Sequence, residues 1–440
     1  MTQFRFLDSR LSTFYKKVLG SFIELCQEFW CYFVVVSRLD AIHKKYKIYV
    51  LKRKKQINVV FVVSFLSQWK YQPLYELIKK NPLFNATILV APMRHHEQSP
   101  DFLGLKKKFD AERVEYLDFE LLPESKKNIR KSLKPDLLFY IQPYYHIYDK
   151  RVDSHSFKDK LICYTFYGFQ LYNLDWSYNL EFLLRAWKLF YISDSHRQYA
   201  VKYSINKGRN IEVVGYLNAD LFREVKQRLD TREFISVWKK QTKPKKKVIW
   251  TPHFSIDEDS ALHQGNFLNM ADSMLFLANK YADVIQFSFK PHPSLYSILR
   301  RHLDWGKEKT DEYYSTWKNG NNTQLDEGEF VQLFLESDAM INDSGSFTVE
   351  YIYTLKPAIN CFRNYEETKS SMVDVGKNAL ECQYRGSTMK ELESFLEQVV
   401  LGDNDPLLEV RNDFYNLFLL PPNNQTVTSN IYNSVMKDLQ

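Results

Sequence analysis

The residues of this chain that could do chemistry gather in three short clusters in its C-terminal half. Thr251-Pro252-His253-Phe254-Ser255 follows the apolar Val248-Ile249-Trp250. Lys290-Pro291-His292-Pro293 follows the run from Val284 to Phe289, and Asp343-Ser344-Gly345-Ser346 follows Ala339-Met340-Ile341. Together they offer two imidazoles, one ammonium and several hydroxyls. The third cluster reads as a strand end, a tight turn and the start of a helical run to Leu355. Free backbone N–H groups and the helix dipole there favour an anion. Taken alone, the same residues also describe an ordinary serine-capped βα turn. Lys290 and His292 are two apart, so on an extended strand they point the same way, and Pro291 and Pro293 stiffen that exit. A structural role is the default for a single histidine such as His292. Repetition at three strand ends points instead to a diphosphate-like anion and to charge developing on a phosphate leaving group.

The elements that must position these clusters can be read from the apolar pattern. From Ile57 the chain alternates short β-branched or aromatic runs with helical stretches. The runs are Asn58–Val63, Ala86–Val90, Val114–Leu117, Asp136–Ile141, Leu161–Tyr164, Leu189–Ile192 and Ile211–Val214. Such alternation indicates parallel α/β units. A long polar helix is expected from about Ala219 to Lys240, followed by a basic, proline-containing linker over 241–247. A second series then follows, with strands at Val248–Trp250, Val284–Phe289, Ala339–Ile341 and Ala358–Phe362. The expected architecture is α/β: two Rossmann-like doubly wound domains facing a central cleft, with an N-terminal helical extension. The expected boundaries are 1–55 for an amphipathic basic segment, 56–240 and 248–420 for the two domains, and 421–440 for a tail helix. In a parallel sheet all three clusters fall on one edge, where α/β proteins bind ligands.

Size and composition agree with this organisation. A chain of 440 residues exceeds one ordinary core, and 45% hydrophobic with 16% aromatic residues argues for a folded protein. The net charge of +7 is unevenly placed, with lysines crowded between Lys44 and Lys55 and again between Lys239 and Lys247. Such runs are ordinarily solvated surface; the other reading is an anionic partner, a membrane lipid or a polymer. The five cysteines make no metal pattern, and buried free thiols in a reducing compartment are expected. No secretory signal is expected at the N-terminus. The apolar Phe29–Val36 is shorter than the ~20 residues a membrane span needs, although an aromatic, base-flanked segment can lie in an interface.

The series Gly215-Tyr216-Leu217-Asn218-Ala219-Asp220, Thr251-Pro252-His253-Phe254-Ser255, Lys290-Pro291-His292-Pro293 and Asp343-Ser344-Gly345-Ser346-Phe347, with Glu350 and Lys356-Pro357, resembles the CDP-glycerol glycerophosphotransferase family. This family includes teichoic acid and capsule polymerases of bacteria, and the resemblance spans about Leu161 to Phe362. It implies a GT-B type fold and transfer of glycerol phosphate, or a related polyol phosphate, from a CDP-linked donor to a hydroxyl of a growing polymer, with release of CMP. It also implies that Lys290 and His292 meet the donor diphosphate. Asp343, Ser344, Gly345, Ser346 and Thr251 would complete that cradle, Glu350 would hold the ribose, and His253 would line the cleft. Where teichoic acid polymerases carry Trp-His-Gly, with a candidate catalytic histidine, this chain reads Phe166-Tyr167-Gly168. Tyr167 is a poor base with an ordinary pKa near 10, so either another group takes the acceptor proton, with His253 and Asp194 as candidates, or the transition state is loose enough to need little base help.

No cofactor is firmly implied. Asp257-Glu258-Asp259 formally contains D-x-D and admits a divalent metal. There is no G-x-G-x-x-G, Walker loop or G-x-S-x-G. The expected protein is thus a bacterial, cytoplasmic enzyme, peripheral at the inner face of the cell membrane. Its partners would be a CDP-polyol, a polymer or lipid-linked acceptor and an anionic membrane surface, with no nucleic acid. The alternatives are a GT-B glycosyltransferase using a nucleotide sugar and a non-catalytic binder of anionic polymer.

Overall fold

The computed structural model describes residues 37–439 except 54–55, 95, 98, 230, 232–234 and 258–263. Among the described residues, thirteen strands form two sheets, all of whose pairings are parallel. The first sheet holds β1 (Ile57–Val63), β2 (Phe84–Val90), β3 (Leu117–Asp118), β4 (Leu137–Tyr140), β5 (Leu161–Thr165), β6 (Lys188–Tyr191) and β7 (Ile211–Val213), in the order 3-2-1-4-5-6-7. The second holds β8 (Lys246–Thr251), β9 (Ile285–Phe289), β10 (Thr323–Leu325), β11 (Ala339–Asn342), β12 (Ala358–Asn360) and β13 (Tyr384–Arg385), in the order 10-9-8-11-12-13. Both are doubly wound, and each order reverses beside its first strand.

The strands β1 and β4 are largely apolar runs, buried along nearly their whole length, as strands covered on both faces are. Phe61 of β1 stacks on Phe139 of β4 at 4.7 Å, and Trp250 of β8 stacks on Phe289 of β9 at 5.0 Å. Each ring pair ties neighbouring strands within its sheet and fills one domain core.

Several elements differ from the sequence expectation. The helix after Tyr216 spans Asn218–Leu229, well short of Lys240. Beyond it Trp238 is buried against the second domain, and Glu336 accepts from the Val237 N–H at 3.0 Å, so tertiary contacts hold residues 235–240 in a non-helical path. Strand β8 begins at Lys246, within the basic run. There Lys246 pairs with Asp403 at 2.6 Å and Lys245 donates to the Ala282 carbonyl at 2.7 Å. The strands β10 and β13 are too short and polar to stand out in the pattern. Of the expected N-terminal segment, residues 1–36 and 54–55 lie outside the described residues, and Ser37–Lys52 is a helix. Tyr46 and Arg53 fasten that region to Asp136, at 2.8 and 2.5 Å. Cys163, Cys361 and Cys382 are buried and free; Cys26 and Cys31 are outside the described residues.

The last helix, Val427–Leu439, returns to the first domain, where Val427, Ile431, Val435 and Leu439 enter its core. The domains also meet directly. Tyr172 bridges to Met372, the Val373 N–H donates to the Leu171 carbonyl at 2.8 Å, and one apolar cluster combines Phe169, Ile192 and Tyr216 with Val349, Ile352 and Phe362.

Candidate donor site at the switch point of the second sheet

Strand β8 lies between β9 and β11, with Trp250 opposite both Phe289 and Ile341. The three polar clusters therefore leave the sheet side by side at the point where the strand order reverses, the crevice where such sheets take ligands. Backbone bonds hold the exits together: the Lys290 N–H donates to the Trp250 carbonyl at 2.8 Å, and the His292 N–H to the Pro252 carbonyl at 3.0 Å.

The imidazoles of His253 and His292 lie 5.2 Å apart, with Phe254 packed against both at 4.3 and 4.5 Å. Burial lowers the His253 pKa to about 3, with the neighbouring His292 adding to the effect. Burial likewise lowers His292 to about 4, reinforced by Lys290. Both rings are thus neutral at pH 7. His292 Nδ1 accepts the Ser294 N–H at 3.1 Å, while His253 Nδ1 lies 2.8 Å from Ser255 Oγ and 3.3 Å from the Ser255 backbone nitrogen. The ring proton of His292 therefore sits on Nε2, which makes this imidazole a neutral donor suited to a phosphate oxygen, whereas the Ser255 hydroxyl can serve either tautomer of His253.

Asp343 lies beneath them, 1% exposed. Its Oδ1 accepts from the His253 N–H and its Oδ2 from the Asn266 N–H, both at 2.5 Å. Burial raises its carboxyl to about pH 7, while these bonds work in the opposite direction. Both oxygens are spent on backbone, so Asp343 braces the turn. Thr251 is also inward, its hydroxyl 3.4 Å from the Ile341 carbonyl. Lys290 is buried; its Nζ donates to the Gly328 carbonyl at 2.8 Å, and burial lowers its pKa to about 8. It remains a cation at neutral pH.

Ser344 takes the N-cap position of the helix Gly345–Glu350, but its side chain makes no capping bond, and its N–H donates to Asn342 Oδ1 at 3.2 Å. A Cβ at Gly345 would stand 2.9 Å from Tyr172 Oη, so only glycine allows the first domain to approach this turn so closely. Ser346 follows on the same helical turn. Lys356, of the Lys356-Pro357 pair, donates to the carbonyls of Leu335 and Ser337, which gives it a structural task.

Tyr167 and Glu350 lie outside this cluster. Tyr167, just past the end of β5, is 37% exposed, and its phenol is held above the ordinary range by burial and Tyr144. Glu350 is 2% exposed and accepts from the Tyr216 hydroxyl of the first domain. Asp194 is exposed and paired with Arg197 at 2.8 Å. Of the D-x-D, only Asp257 is described; no group of three or more metal-ligating side chains occurs among the described residues. The sequence reading did not single out Lys70, Tyr172 or Gln264. Lys70 follows the exit of β1 and would have been found by extending the strand-end rule to the first domain. Tyr172, whose hydroxyl donates to Gln264 Oε1, carries no comparable signal.

No protein-family model matches the chain, and no curated protein matches it. Solved structures do. A variant of the wall teichoic acid polymerase TagF aligns at 13% identity and a TM-score of 0.56, over 96% of this chain and 98% of that one. The UDP-GlcNAc 2-epimerase of Neisseria meningitidis, bound to UDP-GlcNAc, aligns at 15% identity and a TM-score of 0.54, over 87% and 100%. The UDP complex of S. aureus MnaA aligns at 14% and 0.54, over 88% and 98%. At these identities the likeness is one of architecture: the chain has the GT-B type fold, two Rossmann-like domains.

Proposed function

We propose that this chain is a transferase that binds a nucleotide-diphosphate-linked donor on its second domain. Within that class, we assign it the transfer of glycerol phosphate, or a related polyol phosphate, from a CDP-linked donor to a hydroxyl of a growing capsule or wall polymer. The observation that carries this reading is the pair of neutral imidazoles, His253 and His292, side by side at the switch point next to the Asp343–Ser346 turn. The order and spacing of the four motifs support the same assignment.

In this reading the acceptor oxygen forms a bond to the distal phosphorus as the bond from that phosphorus to the CMP oxygen breaks, and the hydroxyl's proton leaves to water. His292 donates through Nε2 to the diphosphate and to the departing CMP, with His253 beside it, and the nearby Lys290 ammonium supplies positive charge. Because its Nε2 already carries a proton, His292 serves as a donor rather than a base. A loose transition state requires little base assistance, since bond breaking leads bond making. Tyr167, exposed at the exit of β5, lines the acceptor side, and Glu350 faces the nucleotide ribose. A position at the inner face of the cell membrane belongs to the same proposal. It is supported by the helix Ser37–Lys52, which exposes Ile42, Ile48, Tyr49 and Leu51 beside Lys44, Lys45 and Lys52.

The test is incubation of the purified protein with CDP-glycerol and a polymer primer. CMP release that depends on primer and is lost in His292→Ala is the expected result. Consumption of a nucleotide sugar with no CMP from CDP-glycerol would replace this reading with a GT-B glycosyltransferase.

A further inference from the structure

Glu350 is a buried carboxylate with one oxygen in use. Oε1 accepts from Tyr216 Oη, while Oε2 is buried without a partner. Tyr216 Oη itself accepts from Lys70 Nζ at 3.1 Å and from Asn218 Nδ2 at 3.2 Å, which fills the capacity of one hydroxyl. Lys70 is anchored in turn by the Tyr167 carbonyl, and its ammonium lies 5.2 Å from the centre of the Tyr216 ring. The chain Lys70–Tyr216 belongs to the first domain and Glu350 to the second. Tyr216 is 1% exposed and packs on Phe169 at 5.2 Å and Tyr353 at 6.5 Å, so the crossing is part of a packed interface.

Burial alone drives a carboxyl toward its neutral form, and burial raises Glu350. The groups that oppose this are Lys70, by its charge, and Tyr216, by its hydrogen bond. Tyr353, the other titratable neighbour, is held protonated by its own burial. A neutral Glu350 would keep a proton on one oxygen and lose its value as a double acceptor. An ionised one, fixed through Oε1, leaves Oε2 for a donor from outside the protein, as a ribose diol supplies.

We propose that Lys70 and Tyr216 are positioning residues that hold the Glu350 carboxylate charged and turned toward the ribose of the bound nucleotide. This rests on Glu350 as the ribose residue of the donor reading, and it adds that half of the nucleotide site is governed from the acceptor-side domain. The packed interface separates it from a releasable latch, in which the two residues would compete with the nucleotide.

The experiment is calorimetric titration of CDP into wild-type, Lys70→Met, Lys70→Arg and Tyr216→Phe proteins between pH 7 and 9, with Glu350→Gln as control. Without the ammonium, Glu350 shifts further up, and each pKa unit above the working pH removes the ionised form about tenfold. Lys70→Met is therefore expected to bind CDP more weakly than wild type at pH 7, by about tenfold for each unit by which its Glu350 pKa exceeds the pH. The gap should close toward pH 9, where Glu350 ionises in the variant and wild-type Lys70, lowered by burial to about 8, loses its own proton. Lys70→Arg should follow wild type, and Tyr216→Phe should show a smaller shift in the same direction. The infrared carboxyl band that disappears in Glu350→Gln reports the charge without nucleotide; it should be ionised in wild type and protonated in Lys70→Met at pH 7. Equal affinity, a loss uniform in pH, or tighter binding in Lys70→Met would each overturn the proposal. A wild-type protein that binds no CDP at any pH defeats the donor reading and the ribose role with it, while the infrared band still decides the charge relay.

Discussion

Replacing Asp343 with alanine would unfasten two loops at once. The side chain is fully buried and accepts the N–H of His253 and of Asn266 at 2.5 Å, so the variant leaves both donors in an apolar setting. An unpaired buried N–H costs about 1–3 kcal/mol, which gives a gross loss of roughly 2–6 kcal/mol. The loss is predicted to depend on pH. Burial raises the folded-state pKa to about 7 from 3.8, so between these values the folded protein retains a proton that the unfolded chain has released. Wild-type stability from this group is present below about pH 4 and lost as pH rises through 7, by roughly 4 kcal/mol in all. The alanine variant has no such titration, so its deficit is largest near pH 4–5 and shrinks toward pH 8. Urea denaturation midpoints of both proteins across that range measure it. Asp343→Asn keeps one acceptor but turns an NH2 toward the other N–H, so it should recover only part of the loss. A deficit below about 1 kcal/mol at pH 5, or one that grows as pH rises, would refute the brace.

Three further outcomes follow from the same geometry. CDP-glycerol keeps a constant charge because both ends of its diphosphate are esterified; with His253 and His292 neutral from pH 7.5 to 5.5, its affinity for Asp343→Asn, which lacks the carboxyl that burial raises to about 7, should not tighten, and a tightening beyond about tenfold would show that the histidines titrate. Ile431→Ala should cost about 2–5 kcal/mol in chemical denaturation, because Ile431 is 0% exposed within the first-domain core; a loss within error would mean that the last helix is not needed there. Gly345→Ala should cost about 1–3 kcal/mol through its clash with the Tyr172 hydroxyl, 2.9 Å away, and the added Tyr172→Ala change should relieve that part; if it does not, the close approach is not the reason for the glycine.

The sheets were legible in the sequence because central strands such as Ile57–Val63, apolar from Val59 on, and Leu137–Tyr140 are buried on both faces and leave apolar runs. Register did the rest: level strand ends at β8, β9 and β11 made three separate motifs into neighbours. Helix length was less legible, since Trp238 and Glu336 act across domains and leave no periodic signature in residues 230–240. The division of labour within the site was also hidden. Asp343 and Thr251 look like ligand groups in the sequence, yet Asp343 faces backbone N–H groups and Thr251 a strand carbonyl. Glu350 looks like part of one helix, while its environment comes from Lys70 and Tyr216, some 280 and 134 positions away in the chain. Such long-range pairing has no local pattern to betray it.

The central claim is that the three strand ends of the second sheet form the donor diphosphate site. The most direct test is a crystal structure of the protein with CDP. The account predicts both phosphates at the mouth of β8, β9 and β11, within hydrogen-bonding distance of His253 or His292 Nε2 and of the turn at Ser344–Ser346, with the ribose on Glu350. CDP bound elsewhere on the chain, with His253 and His292 untouched, would contradict it.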